Sequence, residues 1–404
     1  MDRLRMALSG VGGFGATHVR AAEQLEQEGL VKVVAFAEPN ANAPAVATLR
    51  DREIRWYRDY RELLTTEQEL DLVTIATPIH THVPMATEAF ERGLHVFLEK
   101  PPAVQIQDLR RLIALEERHD RFCAVGFHDV ARPAAIALKR RLCEDTIGTV
   151  KAIHAHARWR RADTYYRRNG WAGKTQVDGA YVLDGPMNNA CAHVLNMASY
   201  LAGAAPHEFA RPLWVQGELY RAMPIDGEDT NCLRAGMDTG VDVCIHLTQA
   251  ASKSWPRAWK ILGSDGTAEF DDVEGVRLPG GHIPQSEPEN FTLTLLRRLV
   301  EVVLGSDEPL LMPLAETEGF LLLSNGAYES AGHIATIPEE CITKVAGEDG
   351  TSWVVESIDD VMAAAANEGK LLSECGLPWG RPSEPFDLAG YKSFPQRWTS
   401  GPPG

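Results

Sequence analysis

The stretch LSGVGGFGATHV, residues 8–19, sets Gly10, Gly12 and Gly15 in the spacing G-x-G-x-x-G close to the start of the sequence. A short apolar run precedes it, and residues 16–29 after it carry apolar side chains at helical spacing. This order predicts a strand, a tight turn and a helix, the local structure that binds a dinucleotide with its phosphates at the helix N-terminus. A glycine-rich turn without a ligand is the alternative interpretation.

The next apolar run, VKVVAFAEPN at residues 31–40, ends in Glu38. An acidic residue at this offset from the glycines meets the ribose hydroxyls and repels a 2′-phosphate. No arginine lies at positions 39–41 to hold such a phosphate, so the sequence favours NAD over NADP. The residues expected to bind the cofactor in this region are Gly10, Gly12, Gly13, Phe14, Gly15 and Glu38.

Strand-like and helix-like segments continue to alternate up to about residue 127. This alternation predicts an α/β fold whose N-terminal domain, residues 1–127, is a Rossmann-type doubly wound parallel sheet with ligands at the carboxyl ends of its strands. From about residue 148 strand-like runs recur with short turns and indicate an antiparallel sheet in a second domain, residues 128–340. One face of this sheet is expected to pack on the helix that contains His193 and on the helical segment at residues 290–305. Residues 341–404 read as a C-terminal extension with a hairpin, a helix at about 358–372 and an extended tail.

Composition narrows the class of protein. A chain of 404 residues exceeds the usual size of a single core, and 44% apolar residues are typical of a globular protein. No apolar stretch reaches the length of a membrane helix and no secretory leader precedes the glycine loop, so we expect a cytoplasmic protein without a membrane partner. A net charge of −16 disfavours nucleic acid. The seven scattered cysteines show no metal-binding spacing, and we expect reduced, mostly buried thiols.

The segment ATPIHTHVPMATEAFERGLHVFLEKPPA, residues 76–103, resembles the Gfo/Idh/MocA family, named for glucose-fructose oxidoreductase and inositol dehydrogenase. The similarity extends over residues 4–335 and includes VGFHDVARP and IGTVKAIHA. It implies a nicotinamide-binding domain followed by an α/β domain with a large open, mostly antiparallel sheet that a second subunit covers, and therefore a homo-oligomer. The residues that carry the match, and are expected at the cofactor site, include Thr77, Pro78, His82, Glu99 and Lys100.

Lys100 is the first catalytic candidate, because the matching lysine of the family binds the reacting hydroxyl or assists its deprotonation. Two prolines follow it and stiffen the backbone, so its ammonium can project from a strand end toward the cofactor. A neighbouring positive ring and partial burial would lower its pKa. A lysine that extends into solvent is the alternative interpretation.

His193 is the second catalytic candidate. It lies in LDGPMNNACAHVLNMASYLAG, residues 183–203, where Pro186 and Gly203 predict a helix over about 186–202 that places Asn189, His193 and Asn196 on one face. The family pattern D-x-G-x-H-x-x-D has aspartates where Asn189 and Asn196 stand, which favours a neutral imidazole able to accept a proton. An alternative alignment makes Asp184 the family aspartate, and a histidine buried in the core is the other interpretation.

The segment YYRRNGWAGK, residues 165–174, combines hydrogen-bond donors with flat rings, as a carbohydrate site needs. A surface loop whose aromatic rings pack beneath it would show the same composition. No metal is expected, because the pairs His80/His82 and His154/His156 have no obvious carboxylate or thiolate companion. The residues expected to bind substrate are Tyr166, Arg168, Trp171, Asn189, His193, Asn196 and His128.

The resulting hypothesis is an NAD-dependent oxidoreductase that transfers a hydride between a carbinol carbon of a sugar, glycoside or cyclitol and nicotinamide, while Lys100 and His193 handle the hydroxyl proton. Two alternatives remain. The family also contains members that use tightly bound NAD in a transient oxidation, elimination and reduction that cleaves a glycoside. A catalytically silent protein that senses cofactor or ligand is the second alternative.

Overall fold

The computed structural model describes residues 3–285 and 290–399, which form two compact units. The first contains residues 3–103, 108–131 and 290–317, and the second contains residues 104–107, 132–285 and 318–399. This division differs from the boundaries expected from the sequence mainly in the segment 290–317, which lies within the expected second domain but groups with the first unit.

The first unit is built on a six-stranded sheet in which every pair of neighbouring strands is parallel. Its strands are β1 (Leu4–Ser9), β2 (Val31–Ala37), β3 (Arg55–Tyr57), β4 (Leu72–Ile75), β5 (His95–Leu98) and β6 (Cys123–Val125), and the helices that alternate with them are α1 (Gly15–Gln27), α2 (Pro44–Asp51), α3 (Tyr60–Thr66), α4 (Ile79–Glu91) and α5 (Ile106–His119).

The strand order β3-β2-β1-β4-β5-β6 confirms the predicted doubly wound sheet. The chain winds to one side from β1 to β3 and to the other side from β4 to β6, so the direction reverses between β1 and β4. Ligands of such sheets bind at the carboxyl ends of the strands that flank this reversal. The glycine loop, residues 10–15, follows β1 and lies at that point.

The second unit holds the large sheet, and the remaining elements follow in chain order. The strands are β7 (Val150–Arg158), β8 (Gln176–Val177), β9 (Ala180–Tyr181), β10 (Pro212–Arg221), β11 (Thr230–Met237), β12 (Asp242–Thr248), β13 (Ala258–Gly263), β14 (Thr267–Asp271), β15 (Gly275–Leu278), β16 (Gly281–Pro284), β17 (Ala335–Thr336), β18 (Ile342–Gly347), β19 (Gly350–Val355) and β20 (Phe386–Asp387), and the helices are α6 (Pro133–Cys143), α7 (Asp163–Tyr166), α8 (Ala192–Ala202), α9 (Phe291–Val303), α10 (Glu318–Ala331) and α11 (Ile358–Glu368).

The large sheet runs in the order β16-β15-β14-β13-β7-β12-β11-β10-β17, and β20 pairs with β10. Most neighbours are antiparallel, while β7 with β12 and β10 with β17 are parallel. The predicted second domain with a large, mostly antiparallel sheet is therefore confirmed. Two short hairpins, β8 with β9 and β18 with β19, stand apart from this sheet.

Helix α9 corrects one expectation. Its apolar face was expected to pack on the antiparallel sheet, but α9 packs on α1, β5 and β6 of the first unit. The side chain of Arg297 in α9 donates a 2.9 Å hydrogen bond to Glu28 after α1. An amphipathic pattern identifies the buried face of a helix but not the surface that buries it, so the sequence could not assign α9 to its unit.

The large sheet carries helices on both faces. On β7, Ala155 pairs with Trp259, whose indole donates to the Val194 carbonyl of α8 over 3.3 Å, so this side of the strand faces α8. Side chains alternate along a strand, and the opposite side carries His154 and His156. His156 pairs with His246, whose Nε2 lies 2.8 Å from the Lys370 carbonyl directly after α11.

The C-terminal extension supplies that second cover. Its predicted hairpin is confirmed as β18 and β19, and its predicted helix is α11, which ends at Glu368 because Gly369 adopts a left-handed φ of +68°. Met362 of α11 is fully buried with Tyr220 and Cys232 of the sheet and Trp379 beyond the helix. Over these strands the chain covers its own sheet, where a second subunit was expected. The expected oligomer remains a prediction.

Across the part of the chain that the structure describes, every helix is too short or too polar to traverse a lipid bilayer.

Candidate active site

The glycine loop in the first unit needs glycine for reasons of space. A Cβ on Gly10 would lie 2.3 Å from the Ala76 carbonyl oxygen, and one on Gly15 would lie 2.1 Å from the Gly10 carbonyl oxygen. Both contacts are backbone contacts that cannot relax, and Gly10 also has a φ of +77°. Gly12 is different, because a Cβ there would make only ordinary contact, 3.5 Å from Glu38. Folding therefore leaves Gly12 replaceable, since its new methyl group would make only ordinary contacts with Glu38 and Ala43.

Glu38 lies against the glycine loop and binds its backbone amides. Its buried carboxylate accepts hydrogen bonds from the amides of Val11 and Gly12 at 3.0 and 3.1 Å and from the amide of Asn40 at 3.0 Å. The acidic residue that the sequence predicted is thus held at the end of β2 against the glycine loop. A carboxylate in this place fits an adenosine ribose and excludes a 2′-phosphate by charge repulsion. The loop and Glu38 together fit a dinucleotide.

Phe14 is an exposed residue of the loop, with half of its surface open to solvent. Its ring stacks on His128 with centroids 6.2 Å apart and an interplanar angle of 14°, and it meets His18 edge to face. The first unit therefore brings two predicted residues, Phe14 and His128, into contact, one at the start of α1 and one in the turn after β6.

Glu99 directly follows β5, is buried, and is the carboxylate next to Lys100. It accepts a hydrogen bond from the Lys100 amide at 3.1 Å, and its Oε1 lies 2.9 Å from Nε2 of the buried His18. Burial alone would raise the pKa of Glu99, but the hydrogen bond and charge of His18, with Lys100 nearby, lower it below its usual value. A Cβ on Gly126 would lie 2.6 Å from the carboxylate, so β6 leaves room for it.

His18 was missed in the sequence analysis. It is the third residue after the last glycine of the loop, on the side of α1 that is buried. A histidine inside an otherwise apolar helical stripe was the available signal, but its partner, Glu99, is 81 positions away. Only the parallel pairing of the strands brings these two residues together.

His82 connects two strand ends. Its Nδ1 lies 2.8 Å from the Pro101 carbonyl and its Nε2 lies 2.8 Å from the Thr77 carbonyl. Burial lowers the pKa of His82, and a neutral imidazole donates to one of these carbonyls at a time. The side chain thus fixes the backbone on both sides of the site, at Thr77-Pro78 after β4 and at Lys100-Pro101 after β5.

In the second unit, three of the residues expected to bind substrate lie at the end of α7 or directly after it, namely Tyr166, Arg168 and Trp171. Tyr166 is buried and its hydroxyl donates to Gln249, a partner that the sequence analysis did not identify. The Arg168 guanidinium lies 3.8 Å from the ring centroid of Tyr165 and 5.2 Å from that of Trp171. The segment therefore combines cationic groups over aromatic rings with the buried ring of Tyr166, and residues 167–170 are exposed.

Asp184 lies next to these residues and restores a carboxylate to the site. Its oxygens accept hydrogen bonds from the Gly173 amide and the Asn189 side chain, both at 2.6 Å, and Arg168 lies 3.7 Å away. The alternative alignment, with Asp184 as the acidic residue, therefore has a physical basis. Asn189 is uncharged, but its side-chain amide donates a hydrogen bond to the Asp184 carboxylate.

The helix predicted over residues 186–202 is interrupted. Residues Pro186–Ala190 form a wide π-type turn, and α8 begins only at Ala192. Asn189 is thus in the turn, while the buried His193 and Asn196 are on α8. The expectation that all three share one face of one helix is wrong, because the turn adds a residue that regular helical spacing does not count.

Glu228 supports this turn and was also missed. Its carboxylate accepts from the Met187 amide at 3.1 Å and from the Asn231 side chain at 2.9 Å, and burial raises its pKa well above the usual value. The adjacent Asp229 has its pKa raised to about 6 by burial. The signal was an acidic pair at the start of an apolar strand.

Two family models match this chain. The model described as "Oxidoreductase family, NAD-binding Rossmann fold" matches residues 4–127, and the "GFO/IDH/MocA C-terminal domain" model matches residues 136–269. Together they match more than half of the chain. The chain belongs to the Gfo/Idh/MocA family. This confirms the resemblance, and the first unit is the NAD-binding Rossmann fold of that family.

Three Gfo/Idh/MocA comparisons show how far the similarity extends. The dTDP-3,4-didehydro-2,6-dideoxy-alpha-D-glucose 3-reductase of Streptomyces violaceoruber is 27% identical over 55% of this chain and 60% of its own. A glycosyl hydrolase family 109 protein of a Shewanella species is 33% identical over 30% of this chain and 28% of its own. The WlbA dehydrogenase of Bordetella pertussis, solved with NADH and UDP-GlcNAcA, superposes with a TM-score of 0.70 at 22% identity over 81% and 96% of the chains.

The match thus spans less than two thirds of the length of each of these two relatives. The solved structure shares the fold at low identity. Residues after 269 lie outside both family models. The assignment to the Gfo/Idh/MocA family therefore does not depend on the C-terminal extension.

Proposed function

We propose that the protein is an NAD-dependent dehydrogenase that acts on a CH–OH group of a sugar, glycoside or cyclitol. The observation that carries the proposal is the arrangement at the strand ends of the first unit. Glu99 and Lys100 follow β5, and Glu99 is joined through His18 to the helix that begins at the glycine loop. The lysine of the family motif is therefore anchored to the element that would hold the cofactor.

NAD would be held by the loop residues Gly10, Gly12, Gly13, Phe14 and Gly15, with Glu38 at the ribose. When bound, the nicotinamide would accept or donate a hydride at the substrate carbon. Thr77, Pro78 and His82 would shape the wall of the site, since His82 fixes both strand ends. Glu99 would keep a negative charge beside the Lys100 backbone, in agreement with its lowered pKa.

Lys100 and His193 are proposed to handle the hydroxyl proton, which would pass from the substrate oxygen to Nζ of Lys100 or to a ring nitrogen of His193. Arg168, Trp171 and Asn189 would bind substrate hydroxyls and C–H surfaces, with Asp184 orienting Asn189. Tyr166, Asn196 and His128 complete the proposed binding set. No metal has a role in this scheme.

The test is to incubate the protein with NAD or NADP and a panel of sugars, glycosides and cyclitols while following both NADH and product. We expect NADH to form with NAD and at least one panel member. The Lys100→Ala variant should lose turnover and retain cofactor binding, measured by calorimetry. Unchanged turnover in this variant would remove Lys100 from the mechanism.

A second function is favoured by the similarity to a glycosyl hydrolase family 109 protein. In this course a carbinol carbon of the glycoside would transfer its hydride transiently to tightly held NAD, and the adjacent C–H, made acidic by the new carbonyl group, would lose its proton as the aglycone leaves. Water would then add to the resulting double bond, and the hydride would return to the sugar carbon. Release of aglycone without net accumulation of NADH would identify this course. Cofactor binding without turnover of any panel member would instead favour a sensor.

Two further parts of the proposal concern organisation. The three-part division into residues 1–127, 128–340 and 341–404 is retained as a proposal, with the last part as a cover for the sheet. A homo-oligomer is likewise proposed, although α11 already covers the central strands β7 and β12 of the large sheet on the face opposite α8. Sedimentation velocity at micromolar concentration tests it, and a monomer would reject it.

A further inference from the structure

A cavity of about 400 Å³ lies wholly within the second unit, between α7, the loop after β10 and the hairpin β18–β19. Trp353 of β19 lines it, as do Met223, Pro224 and Ile225 of the loop after β10. Tyr166 and Ala172 also line the cavity. Its volume is in the range of small-molecule sites, and Trp353 comes from the extension that lies outside both family models.

The hairpin wall is firmly positioned. The amide of Thr351 donates to the Asp163 carboxylate at 3.1 Å, and Arg160 donates to the Ser352 hydroxyl at 3.1 Å. A Cβ on Gly350 would lie 2.3 Å from the same Asp163 carboxylate, and its φ is +108°. Lys344 on the paired strand lies 6.0 Å from the Trp353 ring centroid. These contacts fix the indole as a preformed surface.

The lining from the loop after β10 is held as firmly. The Asp229 carboxylate accepts from the amides of Ala222 and Met223 at 2.8 and 2.7 Å. The Gly173 carbonyl accepts from the amides of Asp226 and Gly227 at 3.0 and 2.8 Å. Both walls are thus tied to backbone groups, and the cavity does not depend on a ligand to form.

The charges that line the cavity cancel. Arg167 is paired with Asp163 over 3.0 Å, and the exposed Lys174 and Asp226 contribute one charge of each sign. A phosphorylated ligand would favour a net positive lining. Opposite charges around an apolar indole and three apolar side chains instead suit a neutral ring with hydroxyls at its edge and C–H groups on its face.

We propose that this cavity binds a second, neutral sugar ring, so that the substrate of the protein is a glycoside with at least two rings. The proposal rests on the proposed function for the reacting ring. Tyr166 belongs both to the cavity and to the predicted substrate residues. The amide of Gly173, which lines the cavity, donates to Asp184, and Asp184 accepts in turn from Asn189, so the second ring would lie beside the first.

The experiment uses the full chain with NAD and compares maltose, cellobiose and lactose with glucose and galactose. We expect Trp353→Ala to lower kcat/KM for a disaccharide about tenfold more than for its single-ring counterpart. Val354→Ala, the next residue on the same strand with its side chain on the other face, should leave that ratio within about twofold. Equal changes in both substrates would overturn the proposal.

Binding measurements distinguish a failure of the proposed sugar site from a failure of the proposed dehydrogenase activity. Calorimetry with Lys100→Ala should detect a disaccharide at millimolar concentration, and adding Trp353→Ala or Lys174→Gln should weaken binding. If disaccharide binding depends on Trp353 but the wild-type protein turns over no substrate, the proposed dehydrogenase activity would be rejected and the proposed sugar site would be supported. Three results would overturn the proposed sugar site. They are a disaccharide affinity that neither variant changes, no binding of any of the three disaccharides, and tighter binding of UDP-glucose through this cavity.

Discussion

Nε2 of His18 and Oε1 of Glu99 lie 2.9 Å apart, and both side chains are buried. The pair joins α1, which starts in the glycine loop, to the end of β5, where Lys100 follows. A carboxylate this deep is stable only with partners that compensate for its lost hydration. His18 and the Lys100 amide provide them.

We expect Glu99→Ala to lower the free energy of unfolding by about 3 kcal/mol, because it leaves His18 buried without this acceptor. Urea denaturation measures the change. Glu99→Gln retains an acceptor oxygen and should lose less. An unfolding midpoint of Glu99→Ala equal to that of wild type would show that the pair contributes nothing to stability.

Gly12 and Gly15 should respond differently to alanine. Gly12→Ala meets only ordinary contacts in the fold, so its free energy of unfolding without cofactor should stay within about 0.5 kcal/mol, while NAD binding weakens about tenfold or more. Gly15→Ala places a methyl group 2.1 Å from a backbone oxygen and should lower stability directly. Calorimetry with NAD and thermal unfolding without it separate the two effects. Unchanged NAD affinity in a folded Gly12→Ala variant would contradict the proposed cofactor position.

The stability that the neutral His156 and His246 contribute should be lost as the pH drops from about 6.5 toward 4, while the raised pKa values of the buried Glu116 and Asp229 act in the opposite direction. Burial, with the charge of Arg158 beside His156, lowers the pKa of His156 to about 4, and burial lowers that of His246 to about 4. The unfolded chain therefore binds protons that the folded chain excludes, and the loss reaches on the order of 2 kcal/mol for each histidine at pH 5.

Urea denaturation at pH 7.5, 6 and 5 measures this dependence. His246→Gln keeps a donor for the Lys370 carbonyl but cannot titrate, so its stability should fall less steeply with pH. His95 in the first unit has its pKa lowered to about 4 by burial and titrates in the same range. The measurement therefore compares the pH dependence of the free energy of unfolding between His246→Gln and wild type. If the two dependences are parallel, His246 does not contribute to the loss of stability.

Met362→Ala should lower the free energy of unfolding by about 3 kcal/mol, because it removes a fully buried side chain from the contact between the extension and the sheet. Asn367→Ala, at an exposed position on the same helix, is the matched control and should have little effect. Thermal unfolding of both variants measures this. Equal unfolding temperatures would mean that the extension does not stabilise the sheet.

The sequence by itself determined the local conformations. Glycine spacing, apolar periodicity and the acidic residue after β2 were sufficient to predict strand, turn and helix around residues 8–38, because those signals act over a few residues of backbone. The hairpin at residues 342–355 and the start of α11 followed for the same reason. The π-type turn before α8 escaped, since Asp184 and Glu228 hold it with contacts that periodicity does not record.

Only the tertiary structure decided which surfaces these elements meet. It paired His18 with Glu99, assigned α9 to the first unit and placed the extension, with Trp353 and Met362, on the second. An apolar face or a buried polar side chain gains stability from any complementary surface, and the partner is selected by the packing of residues far apart in sequence. Local chemistry therefore specified the parts, while close packing over long range specified their neighbours.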